Sequence, residues 1–232
     1  MPNLKEFLMS RRVATLAMLA TPPSFVPPKV QRAKRVVDIV VAGFGLLLTF
    51  PLWPVIALAI RLESAGPAIY RQLRVGIATP DGTSLFVMLK FRSMRYDAEQ
   101  GTGAVWAQRD DARVTRVGRV LRRLRLDELP QLINVLRGDM SIVGPRPERP
   151  EMYRRLEAAV PFYSDRTMGL RPGITGLAQV SQGYDASLDD VRRKLGYDSA
   201  YAMRLTSLAG WFRTDVGIML RTLGVMLGGR GR

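Results

Sequence analysis

The sequence predicts an α+β chain, mostly helical, that sits on one side of a membrane. Three observations carry this: an uncharged stretch broken by two prolines, one β-hairpin signal, and apolar stripes at helical spacing over most of the remainder. From Ile39 to Ile60 runs IVVAGFGLLLTFPLWPVIALAI, without a charge. At ~1.5 Å per residue a straight helix of that length would cross a hydrocarbon core of ~30 Å. Pro51 and Pro54 argue against a straight helix, because each removes a backbone donor and crowds the preceding turn. The expected break lies between Thr49 and Pro54, leaving two half-helices of about ten residues, each too short to cross. Lys29, Arg32, Lys34 and Arg35 precede the stretch and Arg61, Arg71 and Arg74 follow it, so both ends favour the same face. The reading is a re-entrant helical hairpin over residues 29–62; a single spanning helix and a buried soluble-core helix are the alternatives. Asp38 is expected where this helix begins, opposing the positive end of the dipole, or paired with Arg35 or a later basic residue.

Ahead of it, residues 1–28 read as an extension. Ser10-Arg11-Arg12 followed by VATLAMLA has the outline of a twin-arginine signal, but the apolar run is short and TPPSFVPP follows at once. An amphipathic or disordered extension with a stiff spacer from Pro22 to Pro28 is expected instead. Residues 63–232 read as a cytoplasmic domain. Ala68 to Gly76 and Leu85 to Phe91 flank Thr79-Pro80-Asp81-Gly82, a hairpin signal, with Gly66-Pro67 as the boundary before it. Val117, Val120, Leu121 and Leu124 form one apolar stripe, with Arg116, Arg119, Arg122 and Arg123 around it. Leu129, Leu132, Ile133 and Leu136 form a second, closed by Gly138. Met140 to Pro150 and Arg171 to Gly176 read as stiff loops, Glu151 to Ala159 and Leu188 to Met203 as helices. Leu205 to Leu227, apolar but interrupted by Arg213, Asp215 and Arg221, reads as an interfacial amphipathic helix.

The chain carries 35 Lys and Arg against 20 Asp and Glu, a formal charge of +15, and has neither His nor Cys. Triads that need imidazole or thiol, Cys/His zinc sites and disulfides are therefore excluded. A nucleophile or base must be a carboxylate, a hydroxyl or Lys, helped by a hard cation on oxygen ligands. The positive charge calls for an anionic partner: nucleic acid, an anionic membrane surface or a phosphorylated substrate.

Asp127 and Glu128 stand between the two striped segments. Pro130 is tolerated only near a helix start, which puts Asp127 at about the N-cap and Glu128 in the first turn. The dipole and the neighbouring Arg122 and Arg125 are expected to keep Asp127 ionised. Consecutive helical positions point about 100° apart, so one acid can face a phosphorus while the other holds a cation. Without further context the pair reads as an N-cap and a dipole-complementing surface acid. Its context is Pro145-Arg146-Pro147, which presents one guanidinium rigidly, as phosphate recognition requires.

KRVVDIV (Lys34 to Val40), KFRSM (Lys90 to Met94), DARVTRVGRVLRRLRLDELPQLINVLRGDMSIVGPRPE (Asp111 to Glu148), RPGITGLAQV (Arg171 to Val180) and YDSAY (Tyr197 to Tyr201) together resemble the bacterial sugar transferases, the monotopic polyprenyl-phosphate phosphoglycosyl transferases. The resemblance covers about Lys34 to Thr222. It implies transfer of a sugar-1-phosphate from a UDP-sugar to undecaprenyl phosphate with release of UMP, the first membrane step of exopolysaccharide, lipopolysaccharide or glycoconjugate assembly. It further implies that Asp127 is the nucleophile of a covalent phosphosugar intermediate and that Glu128 helps bind Mg2+. Arg122, Arg146 and Arg171 match anion-clamping positions and Asp198 a supporting acid. The implied location is the cytoplasmic face of the bacterial inner membrane, against anionic lipids, in the small form that lacks a multi-span N-terminal bundle. AGWFRT before Asp215 departs from the family spacing, so no role is carried past Asp198. A basic membrane-associated or nucleic-acid-binding protein without catalysis is the rival, supported only by the Arg-studded segment 116–125 and the high pI. No nucleic-acid motif accompanies it. An inactive scaffold that keeps the fold is a third reading, opposed by the intact acids and Arg residues.

Overall fold

A computed structural model of the chain describes residues 26–98, 111–182 and 187–227; the expectations for Ser10 to Ala20 and most of the proline spacer lie outside these. Pro27 precedes helix α1 (Pro28–Thr49), and Pro28 occupies its first turn, where its missing N–H is harmless. Val30, Asp38 and Ala42 are the buried positions of α1, an i, i+4 row that docks on the rest of the protein. Gly45 extends the row: a Cβ there would come within 3.1 Å of Leu132 Cδ1.

Asp38 is therefore not at a helix start. It lies in the middle of α1, where Oδ1 accepts hydrogen bonds from Ser141 Oγ and the Ile142 N–H, each at 2.9 Å. The dipole reading of Asp38 fails because α1 begins at Pro28, well before the uncharged stretch. Lys34, one turn earlier, pairs with Asp215 at 2.6 Å.

The chain breaks at Phe50–Pro51, as expected, and α2 (Leu52–Glu63) leaves α1 at a bend of 64°. Pro51 caps α2 and Pro54 lies in its first turn, so both prolines fall where their lost N–H groups matter least. Thr49 Oγ1 donates back to the Gly45 carbonyl, a bond that accompanies helix bending. The halves are unequal, 22 and 12 residues, rather than about ten each. Among the described residues no single helix is long and apolar enough to cross a membrane, and the bent pair α1–α2 passes that test only jointly.

Strands β1 (Ile69–Thr79) and β2 (Gly82–Phe91) pair antiparallel from Ile69↔Phe91 to Thr79↔Gly82, with an irregularity between Val75 and Ala78. Helix α3 (Arg116–Arg123) starts on the Thr115 hydroxyl, which accepts from the Gly118 N–H. Gly118 presses on the chain after β2: a Cβ there would sit 2.0 Å from the Ser93 carbonyl oxygen, so only glycine fits. Of the α3 stripe, Leu121 is buried and Val117 partly so, whereas Val120 and Leu124 are exposed.

Helix α4 (Gln131–Arg137) is rotated from its expected orientation. Gln131, Asn134 and Val135 are its buried residues, and Leu136 is exposed. Asn134 explains the rotation, because its Oδ1 accepts from the Leu89 N–H at 3.0 Å and its Nδ2 donates to the Val87 carbonyl at 2.8 Å. One side-chain amide thus completes the open edge of β2. Leu132 instead faces α1.

The two stiff loops each hold a short strand. β3 (Ser141–Val143) and β4 (Gly173–Thr175) pair in parallel. Gly144 and Gly173 allow this approach, since a Cβ on Gly173 would lie 2.1 Å from the Gly144 nitrogen. Helices α5 (Pro150–Ala159), α6 (Leu177–Ser181), α7 (Leu188–Arg204) and α8 (Leu208–Leu227) complete the fold. Its main core joins Val30 and Ala42 of α1 to Val135, Met140, Val143, Leu205 and Ile218.

Asp215 corrects the purely interfacial reading of α8. It is buried and accepts from Lys34, Tyr201 Oη at 2.9 Å and Trp211 Nε1 at 2.8 Å, tying α1, α7 and α8 together. The opposite face of α8, with Phe212, Leu220 and Leu223, is exposed.

Candidate active site

Asp127 and Glu128 do not open helix α4. They occupy a separate 3₁₀ turn, Leu126–Glu128, and Pro130 itself caps α4. The turn is entered through Arg125 at φ 56°, a left-handed conformation that is rare for a residue with a β-carbon. That reversal separates the acids from α3 and brings both carboxylates, 8% and 7% exposed, into one buried, basic pocket.

The two neighbours differ in environment. Glu128 Oε1 accepts from Arg146 Nη2 at 3.0 Å and lies 3.7 Å from Lys90 Nζ, while Oε2 lies 3.8 Å from Arg125 Nη1. Burial alone would raise its pKa, but Arg146, Lys90 and Arg125 hold the Glu128 carboxyl down at about 2. Asp127 makes no hydrogen bond or ion pair within 4 Å among the described residues. Burial and the charge of Glu128 push its carboxyl up, against the smaller pulls of Lys90, Arg122 and Arg146. The expectation that its surroundings favour ionisation is thus reversed, because the pocket is drier than a helix start and Glu128 takes the closest cations.

Of the predicted clamps, Arg146 belongs here outright. Arg122 is close enough to act on Asp127 and is aimed by a bond from Nε to Ser93 Oγ at 2.9 Å. Arg171 lies elsewhere: its Nε donates to the Gly138 carbonyl at 3.0 Å, beside Arg35, which donates to the carbonyls of Val135 and Leu136. Both cations close the C-terminal end of α4, a helix of ~10 Å whose other end follows Glu128. The fold does not bring Arg171 to Asp127.

Asp198 also stands behind the site rather than in it. It pairs with Arg166 Nε at 2.8 Å, and Arg166 Nη2 donates to the backbone carbonyl of Arg146 at 2.9 Å. Glu148 accepts from Lys194 and Tyr163, and burial of its carboxyl is outweighed by Lys194 and Arg166, which hold it down at about 2. Arg74 Nη1 donates to the Pro147 carbonyl at 3.1 Å. Pro145-Arg146-Pro147 is thus fixed by a buried charged layer on one side and presents its guanidinium on the other.

Lys90, Arg74, Arg166 and Lys194 were not picked out as site residues from the sequence. Lys90 carries one readable signal, a lone Lys in the apolar run LFVMLKF (Leu85 to Phe91). Burial pushes its ammonium down to about 8, with Glu128 pulling the other way. The other three are read only once α7 and the 3₁₀ turn Tyr163–Thr167 are folded against Glu148.

The arrangement is a buried carboxylate left unbonded among cations, beside a second carboxylate that they neutralise. It suits attack on a phosphate diester or anhydride, where charge on the approaching anion must be offset.

Residues 29–229 match the bacterial sugar transferase family. Among curated proteins, the chain is 45% identical over 198 residues to the UDP-N-acetylgalactosamine-undecaprenyl-phosphate N-acetylgalactosaminephosphotransferase of Aeromonas hydrophila, covering 85% of this chain and 44% of that one. It is 44% identical over 196 residues to the UDP-glucose:undecaprenyl-phosphate glucose-1-phosphate transferase of Caulobacter vibrioides, covering 84% and 69%. It is 43% identical over 195 residues to the protein of that same description in Escherichia coli, covering 82% and 39%. The chain therefore spans less than half the length of the first and third of these relatives and about two thirds of the second.

Proposed function

The chain belongs to the bacterial sugar transferase family, and from that premise we propose that it moves a sugar-1-phosphate from a UDP-sugar to undecaprenyl phosphate and releases UMP. The observation that carries the mechanism is the asymmetry of the two acids: Glu128 is engaged by three cations, while Asp127, among cations too, is bonded by none. In the first step an Asp127 carboxylate oxygen bonds to the phosphorus that bears the sugar. The bond from that phosphorus to the bridging oxygen breaks, and UMP departs with the electron pair. In the second step an oxygen of the acceptor phosphate bonds to the same phosphorus, and the acyl phosphate bond breaks to return the Asp127 carboxylate. No proton need move in either step, which agrees with a chain that has no His. Arg146 and Arg122 are the groups positioned to offset phosphate charge as it approaches Asp127.

Two adjacent carboxylates with neither Cys nor His fit a hard cation. Mg2+ is commonly held by one or two carboxylates together with substrate phosphates, so the pair would need no third protein ligand. Glu128, with Asp127 beside it, would hold the ion, which would supply charge neutralisation on the diphosphate. The bent pair α1–α2 would dip into one leaflet on the cytoplasmic face of the inner membrane. Its exposed Phe44, Leu47, Leu48, Phe50, Leu52 and Val55 support that seat.

The test is mass spectrometry of detergent-purified protein treated with Mg2+ and a panel of UDP-sugars, without acceptor. A sugar-phosphate adduct is expected on the peptide containing Asp127, with UMP released once per enzyme, and neither from Asp127→Asn. Normal turnover by Asp127→Asn, or an adduct on another peptide only, overturns the nucleophile.

A further inference from the structure

Beside Glu128 opens a cleft of about 130 Å³, walled by Leu129, Leu132 of α4, Ile174 of β4, Val180 of α6, and Val225 and Met226 of α8. We propose that this cleft seats the phosphate-proximal isoprenoid units of the lipid acceptor, with Arg125 meeting the acceptor phosphate; this rests on the phosphotransferase reading above.

The walls choose between the two substrates. The hydroxyls of Thr175 and Thr222 bond each other at 2.7 Å, and Gln179 spends its Nε2 on the Ile174 carbonyl, leaving only its Oε1 without a partner. Uracil and ribose would lose several hydrogen bonds to water on entering such a wall and regain few. A hydrocarbon chain loses none, and each buried methylene favours binding.

The polar end fits an anionic head. Arg125 holds Glu128 only loosely, at 3.8 Å, and its backbone reversal places it two residues before Asp127. Arg146 and Lys90 share the same carboxylate, so the net charge at this end is positive. A phosphate there would lie beside Glu128, the chain neighbour of the residue assigned to carry the sugar phosphate.

The apolar end lies between α1 and the exposed apolar residues of α8. Leu132 lies against Gly45 of α1, and on α8 the cleft residues Val225 and Met226 follow Leu220 and Leu223, which are 63% and 53% exposed. A polyprenyl chain lying in the cleft would leave it past Val225 and Met226, beside the exposed Leu220 and Leu223 of α8. One occupant thus satisfies a cationic end, a dry middle and an exit beside exposed apolar residues.

Two reactions separate this proposal from the reading beneath it: UMP release without acceptor, and full transfer with undecaprenyl phosphate varied in mixed micelles. Val225→Trp fills the cleft and is expected to raise the acceptor KM about tenfold, the loss of roughly two buried methylenes of contact. Acceptor-free UMP release and the donor KM should stay at the wild-type level, which also reports that the variant is folded. Met226→Trp is the second variant should Val225→Trp fail that control, with the same expectation.

An unchanged acceptor KM in a folded variant overturns the proposal. A rise in donor KM instead would assign the cleft to the nucleotide, and a changed phospholipid requirement at constant acceptor KM would assign it to bulk lipid; either also overturns it. Absence of UMP release by the wild-type protein with every donor would instead overturn the underlying phosphotransferase reading.

Discussion

Behind Arg146, the Arg166 and Asp198 side chains meet at 2.8 Å while 1% and 2% exposed, and Glu148 and Lys194 lie in the same layer. Leaving one buried charge without its partner costs about 3–5 kcal/mol, far more than the pair itself contributes over a neutral replacement. Asp198→Ala should therefore lower stability by that order, with Asp198→Asn, which keeps an acceptor for Arg166, losing less; thermal unfolding in detergent checks both. Equal and negligible shifts would mean the pair is not buried as described. Glu148 gives a pH prediction. Its folded pKa of about 2 lies below the ordinary 4.5, so its stabilisation is complete above 4.5 and disappears as pH falls from there toward 2. The difference in Tm between wild type and Glu148→Gln should accordingly be full at neutral pH and close on acidification; a gap that widens in acid contradicts the ion-paired carboxylate. Asp127, Glu128 and Arg146 were legible from sequence because a Pro-ordered segment carries them. Arg166 was not, because what gives it meaning lies 32 residues away at Asp198 and across the chain at the Arg146 carbonyl.

Helix α4 shows where apolar periodicity misleads. Leu129, Leu132, Ile133 and Leu136 have the spacing of a core stripe, yet the helix buries Gln131, Asn134 and Val135 most deeply, keeps Leu129 and Leu132 partly buried and leaves Leu136 exposed. An edge strand needs its backbone groups paired, and a side-chain amide does this where no leucine can. Asn134→Leu, conservative in volume and favourable in hydropathy, should leave the Leu89 N–H and Val87 carbonyl unpaired and cost about 1–3 kcal/mol for each. Leu136→Ser, at a stripe position 37% exposed, should cost less than Asn134→Leu. Chemical unfolding of the two variants decides the matter, and the reverse order would restore the stripe to the core. The hairpin, α3, α5 and α7 were readable because turn residues and local spacing determine them. β3 and β4, three residues each, were not: a strand that short has no period to detect, and its pairing depends on glycines at 144 and 173 approaching across the fold.

At the scale of the whole molecule, the +15 charge and the exposed apolar residues would make separable contributions to the proposed membrane attachment. Basic side chains near an anionic leaflet give about 1 kcal/mol each, an attraction confined within a Debye length of roughly 8 Å at physiological salt and about 3 Å at 1 M. Inserted apolar side chains are indifferent to ionic strength and stabilise attachment by about 1.5–3 kcal/mol each when fully buried. Leu47 and Leu48 are 76% and 67% exposed at the end of α1, and Val55 is 67% exposed just beyond the bend. None of the three belongs to the buried row that docks α1, so replacing them should spare the fold. If the bent pair is what holds the protein, 1 M salt should leave it on anionic vesicles while detergent removes it. The triple variant Leu47→Ser, Leu48→Ser, Val55→Ser should then be released by salt alone, because only the electrostatic share remains. Vesicle flotation at low and high salt measures this directly, with acceptor-free UMP release as the control for folding. Release of the wild-type protein by salt alone would reduce α1–α2 to a solvent-exposed bracket and leave the charge as the whole attachment.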